Sequence, residues 1–264
     1  MTNAALHVAR TGLDAQNTKM QVIAHNLANV NTTGFKKDRA DFQNLAYQHL
    51  IAAGSAADSE NKFATGLSLG TGVKLAGTSK IVTQGTNVPT GGSLDLAVQG
   101  DGFFQLQRPD GTIAYTRDGN FKPTAEGVVV NLDGLPLIPQ IQLPEGTTDI
   151  TIGNDGMVSA TITGQTAPVE LGQIELANFT NSSGLRNIGG NLLLETPASG
   201  APQVGVAGLD GRGTIQQGAL EGSNVNIVEE LVDMIETQRA YEVNSKMIKS
   251  TDEMLQYVTQ QLSA

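Results

Sequence analysis

Three histidines, His7, His25 and His49, are the only imidazole ligands in this 264-residue chain, and cysteine is absent. Their spacing fits no zinc-site pattern, which places ligands a few residues apart on a turn or on one helix face. His7 and His25 are expected on polar helix faces. Carboxylates offer more chemistry. Asp101, Asp110, Asp118, Asp133 and Asp155 each neighbour a glycine. Two of them held close in a cleft could perform general acid–base work on a glycosidic bond, and spacing alone leaves that pairing open. Asp-Gly is also the commonest hairpin-turn dipeptide, and turns are the reading taken here. Gly70-Thr71-Gly72 runs on into Val-Lys-Leu without a third glycine, so a dinucleotide loop is not expected. Nothing resembles a phosphate loop ending in Gly-Lys-Ser or Gly-Lys-Thr. The sequons Asn31-Thr32-Thr33 and Asn178-Phe179-Thr180 are read as accidental. The expectation is therefore no enzyme, no cofactor and no metal.

Composition narrows the partners. The net charge is -10 and the aromatic share is 4%, with no Trp. Phosphate-backbone binding needs a basic footprint, so nucleic acid is not an expected partner. No run approaches the ~20 apolar residues of a membrane span, so membrane insertion is not expected either. Arg10, Asp14 and Lys19 interrupt any apolar stretch near the N-terminus, which argues against a cleaved secretory signal. Absent thiols suit any redox compartment. Charge is uneven: residues 1–39 carry five basic and two acidic groups, whereas residues 224–264 carry seven acidic and three basic ones. The two ends are thus electrostatically complementary, which favours pairing and register more than stability.

The elements that carry these groups divide sharply along the chain. All 9 prolines lie between Pro89 and Pro202; of the 31 glycines only Gly12 and Gly34 precede Gly54, and none follows Gly222. Leu6, Leu13, Met20 and Leu27 recur every seventh residue, with Ala9, Gln16, Ile23 and Val30 as a second row. At the other end Ile227, Met234, Tyr241, Ile248, Leu255 and Leu262 recur in the same way, with Leu231 beside them. Asn244 and Thr251 are polar members of this seam, of the kind that cost stability but can fix register. A seven-residue apolar repeat specifies a helix that wants a partner helix. Helices are expected over residues 3–30 and from about 226 to 262, with Gly34 able to take a left-handed C-cap and Asn226 to Glu229 a capping box. Neither end offers a broad apolar face, so packing against neighbouring molecules is expected over a private hairpin. Between them, turn signals every 8–12 residues predict an all-β centre, including one strand across residues 171–179. Residues 52–66 read as a flexible connection.

The fold expected is therefore α+β: long terminal helices packing together as a coiled-coil-like layer, with a central all-β domain. The divisions are 1–34 and 224–264 for the helical layer, 35–66 for a linking segment and 67–223 for the centre. Open-ended contacts between such helices generate a helical filament. Two rival classes are a β-rich hydrolase whose ends merely dimerise and an adhesin with helical anchors.

At this point the residues resemble a known family. Asn26-Leu27-Ala28-Asn29-Val30-Asn31-Thr32-Thr33-Gly34-Phe35-Lys36 is similar to the N-terminal signature of bacterial flagellar rod and hook proteins. Ala97-Val98-Gln99-Gly100-Asp101-Gly102-Phe103-Phe104 and Tyr115-Thr116-Arg117-Asp118-Gly119-Asn120-Phe121 resemble that family's central domain. Ser223-Asn224-Val225-Asn226, Glu229-Glu230-Leu231 and Gln238-Arg239-Ala240-Tyr241-Glu242 look like its C-terminal signature. The motifs span nearly the whole chain in the family's order, and Gly66 to Val73 most resembles the distal-rod branch, with a proximal rod or hook-type subunit as the alternative. The resemblance implies a self-assembling helical homopolymer: a hollow tube that carries torque across the periplasm to the hook. It implies contacts with proximal rod and hook subunits and with the surrounding rings of the basal body. It also implies passage through the type III export apparatus without a cleaved signal. Asn26, Asn29 and Asn226 are expected to matter through polar contacts at helix ends.

Overall fold

The computed structural model describes residues 2–54, 64–164 and 167–262, and the chain divides into two compact units. The first comprises residues 1–27, 38–79 and 227–264; the second comprises 28–37 and 80–226.

The first unit holds two long helices, α1 (Thr2–Ala28) and α2 (Ile227–Leu262). Glu229 and Glu230 occupy the first turn of α2, where carboxylates complement the helix dipole. The unit also contains β1 (Asp38–Asn44), β2 (Tyr47–Ile51), β3 (Leu67–Gly70) and β4 (Val73–Lys80). β1 pairs with β4, and β2 pairs antiparallel with β3. The Leu45 N–H donates to the Gly72 carbonyl at 2.9 Å between the two pairs, so the four strands make one continuous two-stranded ribbon. From Asp38 to Ile51 it extends on the order of 45 Å. A lone ribbon is marginal in water; this one is tied to α1. Thr11 Oγ1 accepts the Val73 N–H at 3.4 Å, and His7 Nδ1 lies 3.2 Å from the Thr71 carbonyl.

One expectation changes here. Residues 67–79 group with the helices and with 38–51 and not with the centre, because each strand finds its partner across the connection. The expected flexible stretch falls largely on residues 55–63, which lie outside the described residues. The N-terminal helix ends at Ala28, so Gly34 lies well past its end and does not cap it.

The second unit is β-rich. Its main sheet is five-stranded and antiparallel, in the order Leu137–Ile138, Phe104–Gln107, Ile113–Thr116, Leu192–Leu194 and Arg186–Gly189. A three-stranded sheet joins Thr147–Ile152, Met157–Ile162 and Val169–Gln173. Shorter pairs join Leu96–Gln99 to Thr214–Gln217, Glu175–Asn178 to Gln203–Val206, and Asn87–Pro89 to Ala219–Glu221. Strand alternation sends successive residues to opposite faces. Phe104 and Leu106 enter the larger core with Leu96, Val98, Phe121 and Ile215, whereas Phe103 joins Tyr115, Phe179 and Leu193 in a second one. The strand expected over 171–179 is broken at Ile174, whose N–H turns aside to the Gly156 carbonyl at 2.8 Å. The half in Val169–Gln173 pairs with Met157–Ile162, and the half in Glu175–Asn178 pairs with Gln203–Val206.

Candidate assembly surface

Within the first unit α1 and α2 run antiparallel. Asn26 Nδ2 donates to Glu230 Oε2 at 3.3 Å. Lys19 Nζ lies 3.9 Å from Asp233 Oδ1. A methyl group on Gly12 would sit 3.1 Å from the Asn244 amide nitrogen. The outer two contacts run from 12 to 26 on α1 and from 230 to 244 on α2, a matched stretch of about 21 Å on each helix.

The inward face of α2 is polar. Glu230 and Thr237 are 4% and 1% exposed, and Asn244 and Thr251 continue the same seven-residue row, half-buried. Thr237 tolerates burial because its hydroxyl donates to the Asp233 carbonyl at 2.6 Å within the helix. Roughly half a turn away, at ~100° per residue, lie Val228, Val232 and Ile235, flanked by Leu231, Val243 and Tyr257, whereas Met247 and Met254 lie only about 60° from the row. All of these are exposed, Val228 at 68% and Met254 and Tyr257 at 63%. The two most buried side chains of α2 are thus polar, while most of its described large apolar residues are exposed. Monomers rarely expose contiguous apolar patches of this kind, and such patches mark interaction sites.

This arrangement corrects the expectation of a narrow apolar face. It also divides the heptad row read from the sequence. Leu6, Leu13, Met20 and Leu27 on α1 are half-buried, and Ile23 and Ala9 are buried. On α2, Met234, Asn244 and Ile248 are half-buried, whereas Ile227, Leu231 and Tyr241 are exposed. The side chains of Leu255 and Leu262 lie outside the described residues. Apolar periodicity found Asn244 and Thr251 in the seam but missed the buried Glu230 and Thr237, which continue the same seven-residue row.

The signature residues are mostly interior. Asn26 is 2% exposed, and its amide holds Asp38 by both backbone groups. Asn29 Oδ1 accepts from Thr32 Oγ1 at 3.1 Å in the turn after α1. Gly34 has φ +67, and a Cβ there would meet the Asp118 backbone nitrogen at 2.6 Å, so a side chain is doubly excluded. Gly100 and Gly102 also have positive φ, at +101 and +143. Phe104 stacks edge-on with Phe121 at 5.3 Å, and Phe103 with Phe179 at 6.0 Å. Arg239 stands exposed on α2.

In the sequence Lys36 and Arg117 stood out only as members of separate motifs, and Glu221 not at all. All three are buried together in the second unit, 4%, 3% and 1% exposed. Lys36 Nζ donates to Glu221 Oε1 at 2.5 Å and Arg117 Nη1 to Oε2 at 3.3 Å. Burial pushes the Lys36 ammonium below the usual lysine range; Glu221 opposes this and Arg117 adds to it. Burial likewise lowers Arg117, again against Glu221. The guanidinium also lies over the Phe103 ring at 5.2 Å.

The Asp-Gly positions serve turns. Asp110 Oδ1 accepts the Thr112 N–H at 3.0 Å, Asp155 Oδ1 that of Met157 at 3.1 Å, and Asp118 Oδ1 that of Asn120 at 3.1 Å. Asp118 and Asp133 line one small polar cavity of about 300 Å³ with Asn31, Thr33 and Asn191. Burial raises the Asp118 carboxyl above the usual range, with a smaller push from Asp133. His7 and His25 are exposed on α1, and His49 on β2. Among the described residues no cluster of three His, Asp or Glu side chains could hold a metal. None of the described helices is long and apolar enough to cross a membrane.

The chain matches three family descriptions in order. These are the flagella basal body rod protein over residues 6–36, the flagellar hook protein FlgE/F/G D1 domain over 97–160, and the flagellar basal body rod FlgEFG protein C-terminal region over 216–261. The flagellar basal-body rod protein FlgG of Buchnera aphidicola from Acyrthosiphon pisum is 51% identical over 97% of this chain and 98% of its own. In Caulobacter vibrioides, FlgG is 46% identical over 97% of this chain and 98% of its own, and FlgF is 34% identical over 95% and 96%. With relatives this similar along nearly its entire length, the chain belongs to the flagellar basal-body rod protein family.

Proposed function

We propose that this chain is a structural subunit of the flagellar distal rod. It polymerises into a hollow helical tube that transmits torque across the periplasm to the hook, and it performs no catalysis. α1 and α2 form a coiled-coil-like inner layer against the helices of neighbouring copies, and the β-rich unit forms the outer layer. Residues 1–34 and 224–264 act as the assembling ends, and the ribbon links the layers. Axial neighbours are proximal rod and hook subunits, the surrounding rings enclose the tube, and export runs through the type III apparatus without a cleaved signal.

One observation carries this reading: most of the apolar residues of α2 are exposed, Val228, Val232 and Ile235 among them, while the polar Glu230 and Thr237 are buried. Burying such a face releases about 25 cal/mol per Å² of apolar area, and a second copy offers the matching surface. The distal over the proximal assignment is supported by the Caulobacter pair, where the FlgG relative is more similar than the FlgF one. The test is complementation of a strain lacking its FlgG, with basal bodies imaged by electron microscopy. Restored full-length rods and swimming are expected. Rods that stop short, with restoration of an FlgF-deficient strain instead, would move the assignment to the proximal rod.

A further inference from the structure

Glu221 gathers side chains from segments far apart in the chain. Besides Lys36 and Arg117, its Oε1 accepts the Gly85 N–H at 2.9 Å, and its backbone carbonyl accepts the Gly34 N–H at 2.8 Å. Lys36 Nζ also reaches the Thr83 carbonyl at 2.8 Å, and Arg117 Nη2 the Gly100 carbonyl at 2.8 Å. Asn224 continues the knot: its Oδ1 accepts the Lys37 N–H at 2.7 Å, and its Nδ2 donates to the Ile81 carbonyl at 2.8 Å. The Ile81 N–H closes the ring on the Lys37 carbonyl at 2.9 Å.

These contacts join segments 34–37, 81–85 and 221–224. Each abuts one of the four points where the chain passes between the two units, at 37/38, 79/80 and 226/227, the fourth being 27/28. We infer that Lys36, Arg117 and Glu221, with Asn224, form a charge-locked joint that makes these three segments, next to three of the four crossings, one cooperative body. A pull or twist entering the β-rich unit through any one segment is then resisted by all three. The charges suit this role better than an apolar contact would. A buried ion set adds little net stability against an apolar equivalent, but removing one partner strands the others and is strongly unfavourable. The joint is therefore either closed by all its members or open.

Hydrogen exchange on the full-length protein tests this, comparing the unsubstituted chain with Glu221→Gln and Lys36→Met. Glu221→Gln strands two cations; Lys36→Met removes one cation and leaves Arg117 as the remaining counter-charge of Glu221, a milder change that serves if the first variant does not fold. The joint predicts exchange faster by about tenfold or more in all three segments together, with 104–106 and 113–116 unchanged. Lys36→Met must produce this in 81–85 and 221–224, away from the substituted segment. Faster exchange confined to 34–37, or no change in any segment, would overturn the joint.

Discussion

The side-chain amide of Asn26 holds the backbone of Asp38 at both ends, donating to its carbonyl and accepting its N–H, each at 2.9 Å. A single helical residue thereby does what a neighbouring strand would do, and seats the first residue of the ribbon against α1. The same amide donates to Glu230 on α2. Three chain segments therefore depend on one group that is almost fully buried. Asn26→Asp removes the donor and turns a carboxylate toward a carbonyl and Glu230. Unsatisfied buried groups cost about 1–3 kcal/mol each. The variant should lose about that much in urea denaturation, with amide protection falling first in 38–44.

Gly12 is the counterpart of this contact on the far side. Because a methyl there would touch the Asn244 amide at 3.1 Å, Gly12→Ala should be accommodated by a small shift, and its better helix propensity offsets part of the strain by ~1 kcal/mol. Gly12→Leu should instead force α1 from α2. Double electron–electron resonance between labels at exposed positions of α1 and α2 would show an unchanged separation in the first variant and a broadened one in the second.

Gly34 is a stricter case. Its φ of +67 and the Asp118 backbone at 2.6 Å from any Cβ act together. Gly34→Ala should cost about 1–3 kcal/mol from strain alone, more than a surface substitution would. Thermal unfolding measures it, and the loss should appear in the β-rich unit.

Much of this was legible in sequence. The terminal helices announced themselves by seven-residue rows free of proline, and the Asp-Gly turns by their dipeptides. Gly34, Phe103 and Phe104 stood out as motif members, and their backbone and core roles follow from residue type. The face of α2 was only half legible: Asn244 and Thr251 stood in the expected seam, Glu230 and Thr237 did not. Apolar periodicity locates a face but assumes that it points inward, and in α2 the row Glu230, Thr237, Asn244 and Thr251 takes that place. Nor did Lys36, Arg117 and Glu221 reveal their meeting, since nothing local links Glu221 to partners 104 and 185 positions away. The pairing of 38–51 with 67–80 was hidden likewise, because strand partners are chosen across the connection.

Tyr115 gives a pH signature. It is 1% exposed, and burial, helped by Glu195, pushes its hydroxyl up to about 12 from 10.0. The unfolded chain thus loses this proton first. The contribution is fully present below pH 10 and is lost as pH rises from 10 toward 12, by about 2–3 kcal/mol at the upper end. Tyr115→Phe should flatten the fall in stability over that window, as followed by denaturant midpoints. The spectrophotometric difference between the two proteins should titrate near 12.

The outward apolar face of α2 is the feature on which the rod reading stands, and Val232 and Ile235, 51% and 50% exposed, lie at its heart. The decisive measurement is rod formation by Val232→Asp/Ile235→Asp in a strain lacking its own subunit, alongside the melting curve of the purified variant. Exposed positions tolerate charge with little change in stability, within about 0.5 kcal/mol. The expected result is a monomer as stable as the unsubstituted chain that builds no distal rod. Full-length rods and normal swimming from the same variant would contradict assembly through this face.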